Sequence, residues 1–406
     1  MPAIYTLRAL EQFTCTGAEC PLSCCTRGWS IQVDAATLAK WRSLPEPDVR
    51  ERLLDSAIST HDKGKQFFVL KHAGDGRCVH LTEAGLCGVQ ARFGHESIPA
   101  TCQEYPRATF QPESLQLKTA FLSCPELVRL VLQDSGHDPF VVAEDGLSDA
   151  DRSERARLGD SVNAIVNRLL SMREAALNLR VYALATVVAE LDAYLGRAGG
   201  NLSGAVTLIE KAFEGAGARV SRLQQLQRKG KYKHNKALAG CFWRLTYAIA
   251  HRGPGSDLVP EIPGLSALCA GAVESDADER QRDIKVYRTV VRQYQAVSAQ
   301  TRTALDTLLE QYLRVKFVNH GFPYALHQDD HVATFLDCVV PYVLLQVLLG
   351  WQAVEQGGDG LADVALTIAK VETVLGIHNA KVFPQIEKHP ELRPLEQSLG
   401  SLVELC

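Results

Sequence analysis

Eight of the twelve cysteines in this 406-residue chain fall within its first 124 positions, at Cys15, Cys20, Cys24, Cys25, Cys78, Cys87, Cys102 and Cys124. Four of them share one run, CTGAECPLSCC. A thiol that only fills core space can sit anywhere, because free cysteine packs as a small hydrophobe. Thiols crowded at short spacings are what a metal ion or an iron–sulfur cluster needs, so this segment has to fold in a way that gathers sulfur. Twelve cysteines are too sparse for a disulfide scaffold, and 46% hydrophobic with 22% charged residues is ordinary for a globular protein. A formal net charge of −4 gives no ground for wholesale nucleic-acid binding. The opening MPAIYTLRALEQF lacks the basic head and apolar stretch of a secretory leader, which predicts a cytoplasmic chain with reduced thiols. No apolar run approaches a membrane span, and Val339 to Leu349, with Pro341 inside, is of core-helix length.

The chain changes character along its length. Residues 1–135 are punctuated by glycine and proline and read as an irregular, cysteine-rich module that binds a metal or cluster. Within it a helix is expected from an Asp34 N-cap through Trp41, a second near Val49 to Ser56, and a strand at Phe67 to Lys71. Pro125 directly after Cys124 starts a helix, so Cys124 falls at an N-cap, where the helix dipole favours the thiolate. Residues 150–406 read as an all-helical domain, with apolar residues at three-and-four spacing over Ser153–Leu195, Gly204–Leu226, Lys236–Ala250, Asp283–Phe317, Ala333–Trp351 and Leu361–Ile377. The fold class is therefore mainly α, with no repeat of fixed period.

Four cysteine motifs carry the chemistry: Cys15-x4-Cys20-x3-Cys24-Cys25, Cys78-x8-Cys87, Cys102-x2-Tyr105-Pro106-Arg107 and Ser123-Cys124-Pro125-Glu126. The side chains of adjacent residues diverge, so Cys24 and Cys25 are expected to do different jobs. Gly85 and Gly88 flank Cys87, where they let backbone N–H groups approach cluster sulfurs. Zinc sites favour compact paired spacings, whereas dispersed cysteines on glycine-containing loops suit a cubane slightly better. Eight cysteines exceed the four one cluster needs, which leaves open two centres or one centre with spare thiols. His72 and His95 lie among the cysteines, and His80 follows Cys78 at ligand spacing, although a solvated or supporting histidine is the simpler reading. Cys241 and Cys338, alone in helical stretches, read as buried structural thiols.

Other motifs are absent or weak. No dinucleotide-binding glycine loop follows a strand, and no P-loop or H-E-x-x-H is present. The basic run RKGKYKHNK, Arg228 to Lys236, reads as a solvated loop or a docking patch for an acidic partner. Tyr312 to Phe317, then His320-Gly321-Phe322-Pro323, puts enough aromatic and basic character at one helix end to line a pocket.

The run FTCTGAECPLSCCTRGWSIQVD, with CVHLTEAGLCGVQ, CQEYPR, SCPELVR and the late YLRVKFVNHGFPYAL, resembles the flagellin lysine-N-methylase family. The cysteine portion alone is also similar to a broader class of cysteine-cluster domains thought to chelate zinc or iron. The closer resemblance implies methyl transfer from S-adenosylmethionine to lysine ε-amines of flagellin, with a 4Fe-4S cluster bound by the cysteines. It carries the ligand set onto Cys15, Cys20, Cys24, Cys25, Cys78, Cys87, Cys102 and Cys124. The spacing departs from the CxxxCxxC of radical enzymes, since Cys25 follows Cys24 at once. Displacement by a neutral amine needs no radical, only in-line attack. Tyr105 and Glu126, near the cysteines in sequence, are the candidates for contacting cofactor or amine. The reading from another class is a non-catalytic zinc- or iron-binding module for protein interaction, and it predicts no binding of S-adenosylmethionine.

Overall fold

The computed structural model describes residues 3–62, 64–111, 115–134, 137–143, 153–197, 199–231, 235–251, 256–270, 275–322, 330–355, 363–375, 388, 392–399 and 402. Pro323, residues 232–234 of the basic run and Cys406 lie outside them.

The architecture is mainly α, as expected, but the N-terminal stretch is not irregular. Its short alternating segments pair into two sheets. Strands β1 (Ala3–Leu7), β5 (Arg107–Phe110), β6 (Leu115–Ala120) and β7 (Phe140–Ala143) form one sheet in the order β5-β6-β1-β7. Strands β2 (Gln32–Val33), β3 (Ala57–Asp62) and β4 (Lys65–Leu70) form the other, in the order β2-β4-β3. Between strands lie the short helices α1 (Ala9–Gln12), α2 (Ala35–Arg42), α3 (Pro47–Asp55), α4 (Gly88–Phe93) and α5 (Ala100–Glu104).

The topology explains how distant cysteines meet. β1 and β6 are parallel neighbours, so the intervening chain is a crossover that starts and finishes its excursion beside the sheet. The ends of both strands point the same way, towards the segments that carry Cys15 and Cys124 respectively. β5 runs antiparallel to β6 with Arg107 opposite Ala120, which brings Tyr105 to that same edge. Phe121 N donates to Pro106 O at 2.8 Å and fixes the junction. In the second sheet, β2 is antiparallel to β4, so the chain before β2 faces the chain after β4. Cys78 N accordingly donates to Cys25 O at 2.8 Å.

Pro125 opens α6 (Pro125–Gln133), with Cys124 at its N-cap. The remaining helices are α7 (Glu154–Leu170), α8 (Leu177–Leu195), α9 (Leu202–Glu214), α10 (Ala216–Arg228), α11 (Lys236–Ala250), α12 (Pro263–Ala270), α13 (Asp276–Gln295), α14 (Ala299–Asn319), α15 (His331–Glu355), α16 (Val364–Leu375) and α17 (Leu395–Ser398). Three of the expected helical stretches are each divided into two, at Ser171–Ala176, Gly215 and Ala296–Ser298. A Ser N-cap restarts the chain at Ser298, whose hydroxyl accepts from Thr301 N at 3.1 Å. Gly240 lets α11 lie directly on α13: a Cβ there would stand 1.8 Å from the Asp283 carbonyl oxygen.

α15 meets the length and composition of a membrane-crossing helix, contrary to the expectation that no apolar run is long enough. It is the central helix of the fold, and 94% of its most apolar window is buried inside the protein. Around it one large core joins Leu7, Phe13, Leu22, Cys124 and the α6 face to α7–α9 and α13–α16. A smaller core is built on Trp41, with Val33, Leu38, Leu53, Leu70, Val89 and Ile98. Cys78, Cys87 and Cys102 pack against the smaller core and Cys124 belongs to the larger one.

Candidate metal centre

The CPLSCC run is held by a one-turn 3-10 helix at Cys24–Thr26, whose N-cap Ser23 accepts from Cys25 N at 3.3 Å. The adjacent thiols do not diverge as expected. The Cys25 S–H donates to the Cys24 sulfur, which lowers the Cys24 pKa to about 7 with further help from the Arg27 charge. The same bond, with burial, raises Cys25. Cys24 is the sulfur that gives up its proton first and Cys25 the one that keeps it, so the two sulfurs do take different roles.

The thiols fall into two groups, within each of which the charged form of one cysteine disfavours that of its neighbours. Burial first, then Cys24, Cys78 and Cys87, push Cys102 up to about 12. Cys78 is raised by burial and by Cys87 and Cys24. Cys25 feels Cys24, Cys78 and Cys87. A second group forms around Cys124, which burial, Cys20 and Cys15 push up to about 12. The N–H groups of Leu127 and Glu126 at the start of α6 do lower Cys124, as the N-cap position predicts. Burial outweighs them, so the expected ready thiolate is not present at neutral pH.

The two groups are linked by loop packing. Gly17, at φ +57, lies against the Leu86 side chain, and Gly85, at φ +74, lies against the Ala18 backbone. Gly17 N also donates to Cys15 Sγ at 3.4 Å. The Gly88 N–H, expected to face sulfur, goes instead to His80 O at 2.8 Å.

Asp34 caps α2 through Thr37 N at 2.9 Å and also accepts from Ala100 N at 2.9 Å, tying the α5 cysteine segment to α2. Partial burial works against its charge, but these bonds hold its carboxyl at about 2. His80 is a supporting residue. Ser56 Oγ donates its one proton to Leu53 O, so it accepts from His80 Nε2 at 2.8 Å, and the ring stays neutral because burial lowers its pKa.

Sequence reasoning missed Arg27, the one cation between Cys15 and Trp29. Its guanidinium donates to Ser23 O, Leu22 O at 2.7 Å and Thr373 Oγ1 at 2.6 Å, and lies 5.6 Å from the Trp29 ring centroid. Burial lowers its pKa, while Tyr105, Cys20, Cys24 and Cys124 support its charge. Arg27 therefore ties the cysteine loop to α16 and favours the charged form of Cys24. Arg27→Met is expected to cost about 2 kcal/mol by leaving two loop carbonyls and a charge-assisted bond unmade. Chemical denaturation checks this.

Tyr105 sits at the sheet edge, 3.2 Å from Ser123 Oγ, stacked on Phe121 and edge-on to Trp29. Burial first, then Cys124, raises its pKa, so the phenol stays protonated. Glu126 turns away to a two-bond pair with Arg129 at 2.8 and 2.5 Å. That pairing lowers its pKa and commits the carboxylate.

Among the described residues, Arg314 of the late aromatic and basic helix end lines an open cleft of about 510 Å³ with Arg168 and Arg173, but the Lys316 end of the stretch is closed by pairing within the core. Lys316 pairs with both oxygens of Glu372 at 2.8 Å, and Tyr312 donates to Glu372 at 2.5 Å. The cavity left between these groups and Phe121–Ser123 is about 10 Å³, the space of one water.

Among the described residues, no three His, Cys, Asp or Glu side chains converge at the spacing of a single ion. Tetrahedral zinc with thiolate bonds of about 2.3 Å draws its sulfurs to within roughly 4 Å of one another. A cubane asks for a wider set, because each cysteine binds a different iron. The thiols of the cysteine motifs are soft donors, of the kind that zinc and iron–sulfur clusters both take.

The chain is 29% identical over 126 residues to the flagellar biosynthetic protein FliU of Salmonella muenchen, covering 31% of this chain and 74% of that protein. It is also 29% identical over 126 residues to proteins named lysine-N-methylase from Salmonella typhimurium and Salmonella choleraesuis. Those matches span 31% of this chain and 31% of each relative. No family model matches the chain. No solved structure matches it either. Relatives of these names bear out the resemblance of this chain to the flagellin lysine-N-methylase family.

Proposed function

We propose that this chain is a protein-lysine N-methyltransferase that takes methyl from S-adenosylmethionine, acts on flagellin and holds a 4Fe-4S cluster at its cysteines. The observation that carries the reading is the gathering of thiols from four separated motifs into two groups, with Arg27 beside Cys20, Cys24 and Cys124, in a chain with relatives named lysine-N-methylase. Four of the five thiols Cys24, Cys25, Cys78, Cys87 and Cys102 would supply the cluster's ligands, with Cys15, Cys20 and Cys124 as the second thiol group. S-adenosylmethionine supplies a methyl on a sulfonium, open to displacement by an amine.

The chain's own task is to present a lysine amine without its proton. The reference pKa of lysine is about 10.4, so roughly three units separate it from neutral pH. A half-buried cation lowers the pKa of an incoming ammonium, and Arg27 is such a cation. Tyr105, protonated at the same edge, can donate a hydrogen bond but cannot act as the base.

The test is incubation of the anaerobically purified protein with flagellin and S-adenosylmethionine bearing a deuterated methyl, followed by peptide mass spectrometry. Deuterated methyl on lysine, lost in Cys24→Ser and Cys102→Ser, is the expected result. No transfer and no binding of S-adenosylmethionine would leave the non-catalytic metal-binding module as the reading.

A further inference from the structure

We propose that the groove between α8, α9 and α10 docks an acidic, amphipathic helical segment of a partner protein. The groove has a volume of about 930 Å³ and opens to solvent. Its shape comes from α10. That helix repeats apolar residues at Ala216, Val220, Leu223 and Leu226, the spacing of one helix face. Ala216 and Val220 are buried in the large core. Leu223 and Leu226, over the second half of the helix, are only half-buried and line the groove, facing Leu208 of α9. Leu208 and Leu223 still pack against the edge of the large core, and Leu226, one turn on, carries the apolar stripe past it.

The rim has one sign. Lys211, Arg219, Arg222 and Lys231 line the groove against a single lining carboxylate, Glu190, which the Arg219 fork engages through two 2.8 Å bonds. Four cations less one carboxylate leave the described lining at +3. Lys231 is held in place rather than trailing. Gly230 takes φ +59 after the helix end, and Lys231 N donates to Leu226 O at 2.8 Å, closing the α10 terminus. The basic run flagged in the sequence therefore begins on the rim of this groove.

Leucines recessed below a ring of cations fit a helix that carries its own apolar face and flanking carboxylates. A bilayer surface could not reach those leucines, and a nucleic acid would leave them uncovered. The inference stands apart from methyl transfer and is read by binding alone.

The probe is a fluorescent helical peptide with leucines at i, i+3, i+4 and i+7 and glutamates beside them, titrated into the full chain. A twin peptide with lysines for glutamates, phosphatidylglycerol vesicles and a single-stranded oligonucleotide are run in parallel. The glutamate peptide is expected to bind, and to weaken as salt rises. Lys211→Glu with Arg222→Glu, both at exposed positions, is expected to weaken it roughly tenfold and to transfer preference to the lysine peptide. Circular dichroism of the variant confirms its fold. Equal affinity for the two peptides, or affinity unmoved by the charge reversal, would overturn the proposal. So would a preference for vesicles or oligonucleotide that the same reversal abolishes.

Discussion

Glu310→Leu is expected to lower the free energy of unfolding by about 3–5 kcal/mol, the cost of removing one partner of a buried ion pair. Glu310 is 1% exposed and faces three arginines. Arg173 donates at 3.1 and 3.0 Å, Arg180 at 2.8 Å, and Arg314 at 3.3 and 3.2 Å. Without the carboxylate, Arg180 and Arg314 would be buried cations with no acid to answer them at that point. Denaturant unfolding reads the loss. If the leucine variant fails to fold, Glu310→Gln keeps one acceptor oxygen and gives a smaller, measurable loss. The pH dependence has a definite sign. Burial raises the Glu310 carboxyl, but the arginines outweigh it and hold the group below its ordinary value. Its contribution is therefore complete above the unfolded pKa of about 4.3 and drains as pH falls through the folded value. The gap between wild type and Glu310→Gln is expected to shrink on acidification over that window.

Lys316→Met carries the second large effect, about 3 kcal/mol, by the same principle. Lys316 is 1% exposed and Glu372 is 4% exposed, so the substitution leaves a buried carboxylate with only the Tyr312 hydroxyl among these partners. Combining it with Glu372→Gln removes the orphaned charge and is expected to recover much of the loss. This pair also bears on the cysteines. Lys316 and Glu372 back onto Phe121–Ser123, one residue from Cys124, and Thr373 receives the Arg27 guanidinium. Asn319, three residues after Lys316, donates to Ala120 O at 2.8 Å. Disulfide-exchange labelling of Cys124, which is buried in the intact fold, is expected to speed up in Lys316→Met and to slow again in the double variant.

The parts legible in the sequence were those set by local rules. The Asp34 cap, the Pro125 start of α6 and the helical periods from Ser153 onward all appear close to where spacing put them. The first sheet was not legible, because β1 pairs with a strand more than 100 positions away and its five residues carry no turn signal of their own. The same long-range pairing decides which cysteines meet, so motif spacing alone could not sort them into two groups. The charge in YLRVKF suggests a pocket because spacing does not show that Glu372, 56 positions on, pairs Lys316 within the fold. Arg27 was visible as a lone cation among four thiols, a signal that spacing rules do not weigh.

The most direct test of the central claim is iron, acid-labile sulfide and visible absorption on protein purified without oxygen. The account predicts iron and sulfide in near-equal amounts with a broad band near roughly 400 nm, as thiolate-bound clusters show. Both are expected to fall in Cys24→Ser and Cys102→Ser. A colourless protein with stoichiometric zinc would contradict it.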